Sequence, residues 1–177
     1  MKTATTTNRP FVRTIILDAV ILTVGCLVPT LSHLTSLPLY RYNPMLVMLV
    51  VSLLLSPHRF NTFLLAVLLP FVSMIAVGMP DPLKAVCIAA QLLTTVSVFT
   101  FAERKWPLVS QPDMQFIILL TSMHIGTAVY YLLKWLLFNP TELMTTPFLT
   151  QVIVMSATSL VFGLVKIFQY PYNEYTE

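Results

Sequence analysis

Few side chains in this sequence are of the types that catalyse reactions or bind metals. The histidines, His33, His58 and His124, are too scattered for their spacing to form a metal site. Cys26 and Cys87 form no CxxC pair, and we interpret them as small apolar side chains. The sequence contains no Walker A, HExxH or GxSxG motif. We therefore predict a protein that is not an enzyme and that holds no metal and no cofactor.

Polar residues inside long apolar segments are more informative. Gln91 and Thr95 are four residues apart and so share one helix face. His124 and Gln151 lie in later segments, and in lipid such groups face a bundle interior or a cavity. For the two glutamines we keep two interpretations, hydrogen bonding between helices and contact with a ligand. For His124 a proton relay is a third, whereas Ser and Thr hydroxyls are expected to bond back to their own helices.

Aromatic residues flank the same segments. They are Tyr40, Tyr42, Tyr130, Tyr131 and Trp135. An interfacial belt explains them. Alternatively, Arg41 between two tyrosines and Lys134 beside Trp135 hold an anionic ligand by charge and stacking. Our sharper hypothesis is that Arg41, Gln91 and His124 line one outward cavity.

The composition identifies the surroundings of these side chains. Of 177 residues, 56% are hydrophobic and 10% are charged, whereas a soluble domain has about 25% charged residues. The chain is therefore expected in a lipid bilayer, and its continuous apolar runs favour helices over a barrel. The net charge of +3 is explained by the cationic residues that orient a protein in the membrane. The sequence has no basic patch interleaved with aromatic residues, so it gives no indication of nucleic-acid binding.

The pattern predicts an all-α protein, a single domain over 1–177 that forms a compact bundle of six transmembrane helices. The helices are predicted at 13–32, 44–56, 61–77, 83–102, 113–137 and 148–168. Asn43 and Asp113 are expected to cap the second and fifth helices. Gly78 is expected to end the third helix in a left-handed conformation. Asp18 is expected to lie near Arg13 at the interface or to contact another helix.

Six spans place both termini on one side of the membrane. The cations on that side are Lys2, Arg9, Arg13, Arg59, Arg104, Lys105 and Lys166, and those on the other side are Arg41, Lys84 and Lys134. Because cytoplasmic loops carry the excess of Lys and Arg, the termini are predicted to be cytoplasmic.

The segment 43–95 carries a resemblance to a known family. Its features are Pro44-Met45, Ser56-Pro57, Pro70 with Ser73, Gly78-Met79-Pro80 and Gln91-Leu92, preceded by Val28-Pro29 and His33. These resemble the substrate-binding S components of energy-coupling factor (ECF) vitamin transporters. Two positions differ from the family pattern. Gln91 stands where Glu is usual, and Ala19-xxx-Thr23 stands where the first helix often has Ala-xxx-Ala.

The resemblance implies a multi-pass subunit of a bacterial or archaeal cytoplasmic membrane that captures a small vitamin or precursor from outside. Its partners would be a membrane coupling subunit, contacted through Ala19 and Thr23, and two cytoplasmic ATPases that power uptake. The implied ligand site comprises His33, Tyr40, Arg41, Asn43, Met79, Pro80, Gln91, Thr95, His124, Tyr131 and Gln151. Two alternatives are a membrane scaffold of similar bundle fold that needs no ligand, and a stand-alone secondary transporter.

Overall fold

A computed structural model describes residues 9–35, 42–56, 58–106, 112–138 and 148–173. Of these residues 93% are helical and none lies in a strand, which confirms the predicted all-α class. In chain order the helices are α1 (Arg9–Thr35), α2 (Pro44–Leu55), α3 (Arg59–Val77), α4 (Pro82–Lys105), α5 (Pro112–Leu137) and α6 (Phe148–Asn173).

Five helices in the described part of the chain are long and apolar enough to cross a membrane. These segments are Thr14–Ser32, Arg59–Val77, Pro82–Lys105, Met114–Leu137 and Leu149–Gln169. The chain thus has the make-up of a multi-pass membrane protein. At 12 residues, α2 is about 18 Å long, less than the ~30 Å hydrocarbon core of a bilayer. It packs against α1, α3 and α6.

Some helix boundaries differ from the sequence predictions. α1 extends over Arg9–Thr35 instead of 13–32, and α6 continues to Asn173. The prediction that Asp113 caps the fifth helix is wrong, because α5 begins at Pro112 and Asp113 lies within it. Proline is favoured at the first helical position, where its missing N–H would be unpaired in any case.

Asn43 and Gly78 both adopt left-handed backbone conformations at helix ends. Gly78 has a φ of 74° and donates its N–H to the carbonyl of Met74, at 3.0 Å, which confirms the predicted end of α3. Asn43 immediately precedes α2 with a φ of 47°, but its side chain makes no capping hydrogen bond. Asn43 is thus the N-cap residue of α2, as predicted, and its carbonyl accepts from the N–H groups of Leu46 and Val47, but its side-chain amide is directed elsewhere.

Helix α4 is the centre of the bundle. In its most apolar stretch, 56% of the residues are buried, compared with 18% to 33% in the other four candidate spans. It packs mainly on α5 and α3. The apolar core contains Leu49, Leu69, Leu92 and Met123. Residues on α4 therefore contact other helices rather than lipid on most sides.

The contact between α4 and α5 is close because Gly126 has no side chain. A Cβ atom at this position would collide with Thr95 Oγ1 and would lie 2.7 Å from the carbonyl oxygen of Gln91. Small residues at such crossings let transmembrane helices approach closely, since packing rather than the hydrophobic effect holds helices together in lipid. Gly126 thus sets the distance between α4 and α5.

At one end of the bundle, an ion pair joins three helices. The guanidinium of Arg59 donates to both carboxylate oxygens of Glu103, at 2.8 and 3.0 Å, and to the carbonyl of Leu53, at 2.7 Å. This ties the start of α3 to the end of α4 and the end of α2. We call it the Arg59 end. The opposite end, where α3 ends and α4 begins, is the Gly78 end.

Helix α1 is joined to α3 by a polar contact near the Arg59 end. Asn61 Nδ2 donates to Asp18 Oδ2 at 2.8 Å. The predicted contact of Asp18 with another helix is therefore present. The side chain of Arg13 lies outside the described residues.

Gly126→Ala is expected to lower the free energy of unfolding by about 1–3 kcal/mol, the usual cost of overpacking. The reason is that the new methyl group meets the backbone of α4, which cannot rotate away. The measurement is thermal or denaturant unfolding in detergent, monitored by circular dichroism.

Gly163→Ala is the matched control. Its Cβ would lie 3.0 Å from Phe116 Cβ, a contact that a shift of a few tenths of an ångström between α5 and α6 relieves. Replacing Gly by Ala also favours the helix by roughly 1 kcal/mol. The control should therefore be nearly neutral, and equal destabilisation by both variants would contradict the role given to Gly126.

Candidate functional site

Gln91 lies at the centre of a buried hydrogen-bond network. It is 1% exposed, and its Nε2 donates to Thr127 Oγ1 of α5 at 3.0 Å. Its Oε1 accepts a longer hydrogen bond from Asn43 Nδ2, at 3.5 Å, at the start of α2. Gln91 thereby connects three helices, and this contact explains why the Asn43 side chain does not cap its own helix.

The network continues onto α6. Thr127 Oγ1 donates to the thioether of Met155 at 3.2 Å, a weak acceptor. One turn further along α5, the Tyr131 hydroxyl donates to Gln151 Oε1 at 3.2 Å. We call Asn43, Gln91, Thr127, Tyr131 and Gln151 the polar cluster. Its members come from α4, α5 and α6 and from the residue before α2.

One member of the polar cluster, Asn43, lies at the Gly78 end, because α2 begins there and ends at the Arg59 end. The turn between α3 and α4 is at the same end. Ser73 is fully buried and donates its hydroxyl to the carbonyl of Met79 at 2.8 Å. The Met79–Pro80 bond is cis. This contact holds the turn against the end of α3. On the outer surface of the turn, Lys84 pairs with the exposed Asp81 at 3.1 Å.

The structure brings several of the predicted site residues together. Asn43, Gln91, Tyr131 and Gln151 belong to the polar cluster, Thr95 bonds to the carbonyl of Gln91 at 2.9 Å, and Met79 and Pro80 lie in the turn at the same end. Whether these residues bind a ligand remains a prediction. That Thr95 bond is the bond back to its own helix expected for a threonine in lipid.

Other predicted residues lie elsewhere. His124 Nδ1 contacts the carbonyl of Leu120 at 2.8 Å, a bond within its own helix that the sequence analysis did not consider. Tyr40 and Arg41 lie outside the described residues, as does the side chain of His33. The hypothesis that Arg41, Gln91 and His124 line one cavity therefore stays a prediction.

The proposed partner-contact residues lie together on α1. Thr23 Oγ1 donates to the carbonyl of Ala19 at 2.7 Å, on an exposed part of the helix. This surface faces outward from the bundle. Its contact with a coupling subunit stays a prediction.

Lys134 is a buried residue that the predicted site did not include. It is 3% exposed and lies seven residues after Thr127, so both occupy one face of α5. Met123 and Gly126 are buried on that face. The sequence already offered Lys134 beside Trp135 as an alternative contact for an anionic ligand, and the helical period carried the signal of its burial.

The polar cluster consists of hydrogen-bonding groups without charge. It offers amide, hydroxyl and phenol groups, which donate and accept hydrogen bonds. In the described part of the chain, no three His, Cys, Asp or Glu residues come together as a metal site would require. Such a cluster can orient a small polar molecule between helices.

Comparisons with protein-family models, with curated proteins and with solved structures find no match for this chain. The functional argument therefore depends on the residues and their geometry.

The Gln91–Thr127 hydrogen bond should be measurable as a coupling free energy. In a double-mutant cycle of Gln91→Leu and Thr127→Val, we expect a favourable coupling of about 0.6–1.7 kcal/mol, the range for hydrogen bonds between transmembrane helices. The measurement is the unfolding free energy of the wild type, both single variants and the double variant in detergent.

The control cycle pairs Gln91→Leu with Thr158→Val. Thr158 bonds to the carbonyl of Val154 in its own helix, at 2.7 Å, so its coupling to Gln91 should be zero within error. If the Gln91–Thr127 cycle gave the same value as this control, the hydrogen bond would have no energetic role.

Proposed function

We propose that this chain is the substrate-binding membrane subunit of an ECF-type transporter, which captures a small vitamin or precursor from outside. The observation that carries the proposal is the polar cluster at the Gly78 end. It joins four segments of a chain in which 10% of the residues are charged.

The cost of polar groups in lipid supports a specific role for this cluster. An amide without a hydrogen-bond partner costs several kcal/mol in an apolar medium. Gln91 and Gln151 therefore need hydrogen-bond partners inside the membrane, from the protein or from a ligand. Asn43, which bonds to Gln91, lies at the Gly78 end. A binding site that opens at that end would use the amides to recognise a ligand.

The resemblance of segment 43–95 to S components adds to this proposal. The segment supplies Asn43, the Met79-Pro80 turn and Gln91, which the fold brings to one end of the bundle. In this proposal a membrane coupling subunit and two cytoplasmic ATPases complete the transporter. The chain itself binds the ligand and hydrolyses nothing.

We further propose six spans with cytoplasmic termini, α2 being the short one. The Arg59 end carries Arg59, Arg104, Lys105 and Lys166, and it would face the cytoplasm by the positive-inside rule. The Gly78 end and its polar cluster would then face outward, as capture of an external ligand requires.

Labelling from outside intact cells tests this orientation. Tyr42 and Trp106 are both about half exposed and lie at opposite ends of the bundle, which makes them a matched pair. In a background without Cys26 and Cys87, Tyr42→Cys should react with a membrane-impermeant maleimide on intact cells, and Trp106→Cys only after lysis. The reverse pattern would overturn the orientation.

Ligand binding should appear as thermal stabilisation of the purified protein. A ligand present at 100 times its Kd adds about 2.7 kcal/mol to the free energy of unfolding, so at least one compound in a vitamin and precursor panel should raise the Tm. Gln91→Ala should weaken binding of that compound. Thr158→Ala, which removes only an intrahelical hydroxyl contact, should leave binding unchanged.

The same preparation separates the proposal from its two alternatives. A scaffold would show no stabilisation by any compound in the panel. A secondary transporter reconstituted alone in liposomes would accumulate the stabilising compound in response to a proton or sodium gradient. The proposal expects binding without uptake by the isolated chain.

A further inference from the structure

Two buried aromatic rings at the Arg59 end each hold a cation. Phe99 of α4 and Phe162 of α6 pack edge to face, with ring centroids 5.8 Å apart. The guanidinium carbon of Arg59 lies 5.7 Å from the centroid of the Phe99 ring, and the ammonium of Lys166 lies 5.8 Å from that of Phe162. The face of an aromatic ring attracts a cation at such a distance. The two rings therefore bring cations of α3 and α6 to one place.

One carboxylate lies beside these two cations. Glu103 accepts from Arg59 through both of its oxygens, at 2.8 and 3.0 Å. Lys166 is within electrostatic range of both Arg59 and Glu103, but among the described residues it makes no hydrogen bond and no ion pair. Asp18, another carboxylate near this end, bonds to Asn61. Two positive charges and one negative charge thus leave the group with an excess positive charge.

Both cations keep N–H donors for a further anion. Arg59 uses one N–H group on each of its three nitrogens, for Glu103 and Leu53. A guanidinium has five N–H donors and an ammonium has three, so two remain on Arg59 and three on Lys166. The Arg59 side chain is 25% exposed, and Lys166 is half-buried. The oxygens of a phosphate group could accept from both side chains.

The depth of these cations matches that of lipid headgroups. One candidate span begins at Arg59, and another ends at Gln169, three residues or about 4.5 Å beyond Lys166 along the helix. Trp106 follows the end of a third span and is 52% exposed, and tryptophan is enriched where hydrocarbon meets headgroups. Lysine side chains at this depth extend toward the headgroups. The phosphate of a phospholipid is therefore an anion within reach.

We infer that the Arg59 end binds the phosphate of an anionic phospholipid through Lys166 and Arg59. The excess positive charge favours a headgroup with a net negative charge over a zwitterionic one, because the ammonium of a zwitterionic headgroup is repelled by both cations. Arg104 and Lys105 are exposed at the same end and attract anionic lipid without fixing its position. The inference concerns the surrounding lipid and does not depend on the proposed transport function.

Lipids that differ in headgroup charge test the inference. Purified protein in a neutral detergent is titrated with phosphatidylglycerol or with phosphatidylcholine of the same acyl chains. Bound lipid is measured by native mass spectrometry and the Tm by thermal unfolding. Phosphatidylglycerol should bind about fivefold more tightly, the equivalent of about 1 kcal/mol, and should raise the Tm more. Inorganic phosphate, which has no acyl chains, should not raise the Tm over the same concentration range.

Substitutions then assign the preference to Lys166. Lys166→Gln should weaken binding of phosphatidylglycerol about fivefold and leave binding of phosphatidylcholine unchanged, whereas Lys166→Arg should keep the preference. Lys105→Gln is the matched control, since it removes the same charge at the same end. Lys105 is exposed over the Phe101 ring, so water screens its charge and its loss should change the affinity less than about twofold.

Each result decides for or against the site. Equal affinity of the wild type for the two lipids rejects it, as does a preference that persists in Lys166→Gln. If Lys105→Gln weakens binding as much as Lys166→Gln, the attraction belongs to the whole surface and the site is rejected. If inorganic phosphate stabilises the protein as well as phosphatidylglycerol does, the ligand is a soluble phosphate rather than a lipid.

A failure to fold of Lys166→Gln would leave the question decidable. The wild-type comparison of the two lipids still tests the preference, and Lys105→Gln and Lys166→Arg still distinguish a site from general attraction. The vitamin panel uses different compounds, so these results leave the proposed function to its own test.

Discussion

The close approach of α4 and α5 at Gly126 is the constraint on which the rest of the bundle depends. Gln91 cannot be hydrated inside a bilayer, so protein groups must satisfy its amide. Because Gly126 lets the α5 backbone approach Gln91 and Thr95, the neighbouring Thr127 hydroxyl comes within 3.0 Å of the Gln91 amide. A larger residue at this position would separate the two helices and leave that amide without its partner.

The two ends of the bundle are held by different kinds of interaction. At the Arg59 end, the guanidinium makes two hydrogen bonds to Glu103 and one to Leu53, a charge-assisted geometry with little freedom. At the Gly78 end, amide and hydroxyl bonds join the helices, and each contributes on the order of 0.6 kcal/mol in a membrane. The charged contacts therefore hold the Arg59 end together, and weaker neutral contacts hold the Gly78 end together.

The sequence predicted the elements better than their contacts. Composition required helices, because 10% charged residues cannot cover a water-exposed surface, and Gly78 predicted a left-handed helix end on steric grounds. The hydrogen-bond partners of the polar side chains were harder to predict, because they depend on how each helix is rotated about its axis. Asn43 occupies the expected N-cap position of α2, but its side chain bonds to Gln91, 48 residues away. His124 Nδ1 contacts the carbonyl of Leu120 in its own helix, and contact of the ring with another helix or a ligand stays a prediction.

Gln91 can stabilise the bundle and still bind a ligand. A glutamine amide has two N–H donors and two acceptor lone pairs, whereas its side-chain bonds in the described structure use one donor, to Thr127, and one acceptor, from Asn43. The Asn43 bond is the longer of the two, at 3.5 Å, and therefore the weaker. A ligand that replaced Asn43 would give up little and would gain a well-oriented amide held in place by Thr127. The same hydrogen bond that joins α4 to α5 would thus orient Gln91 for recognition.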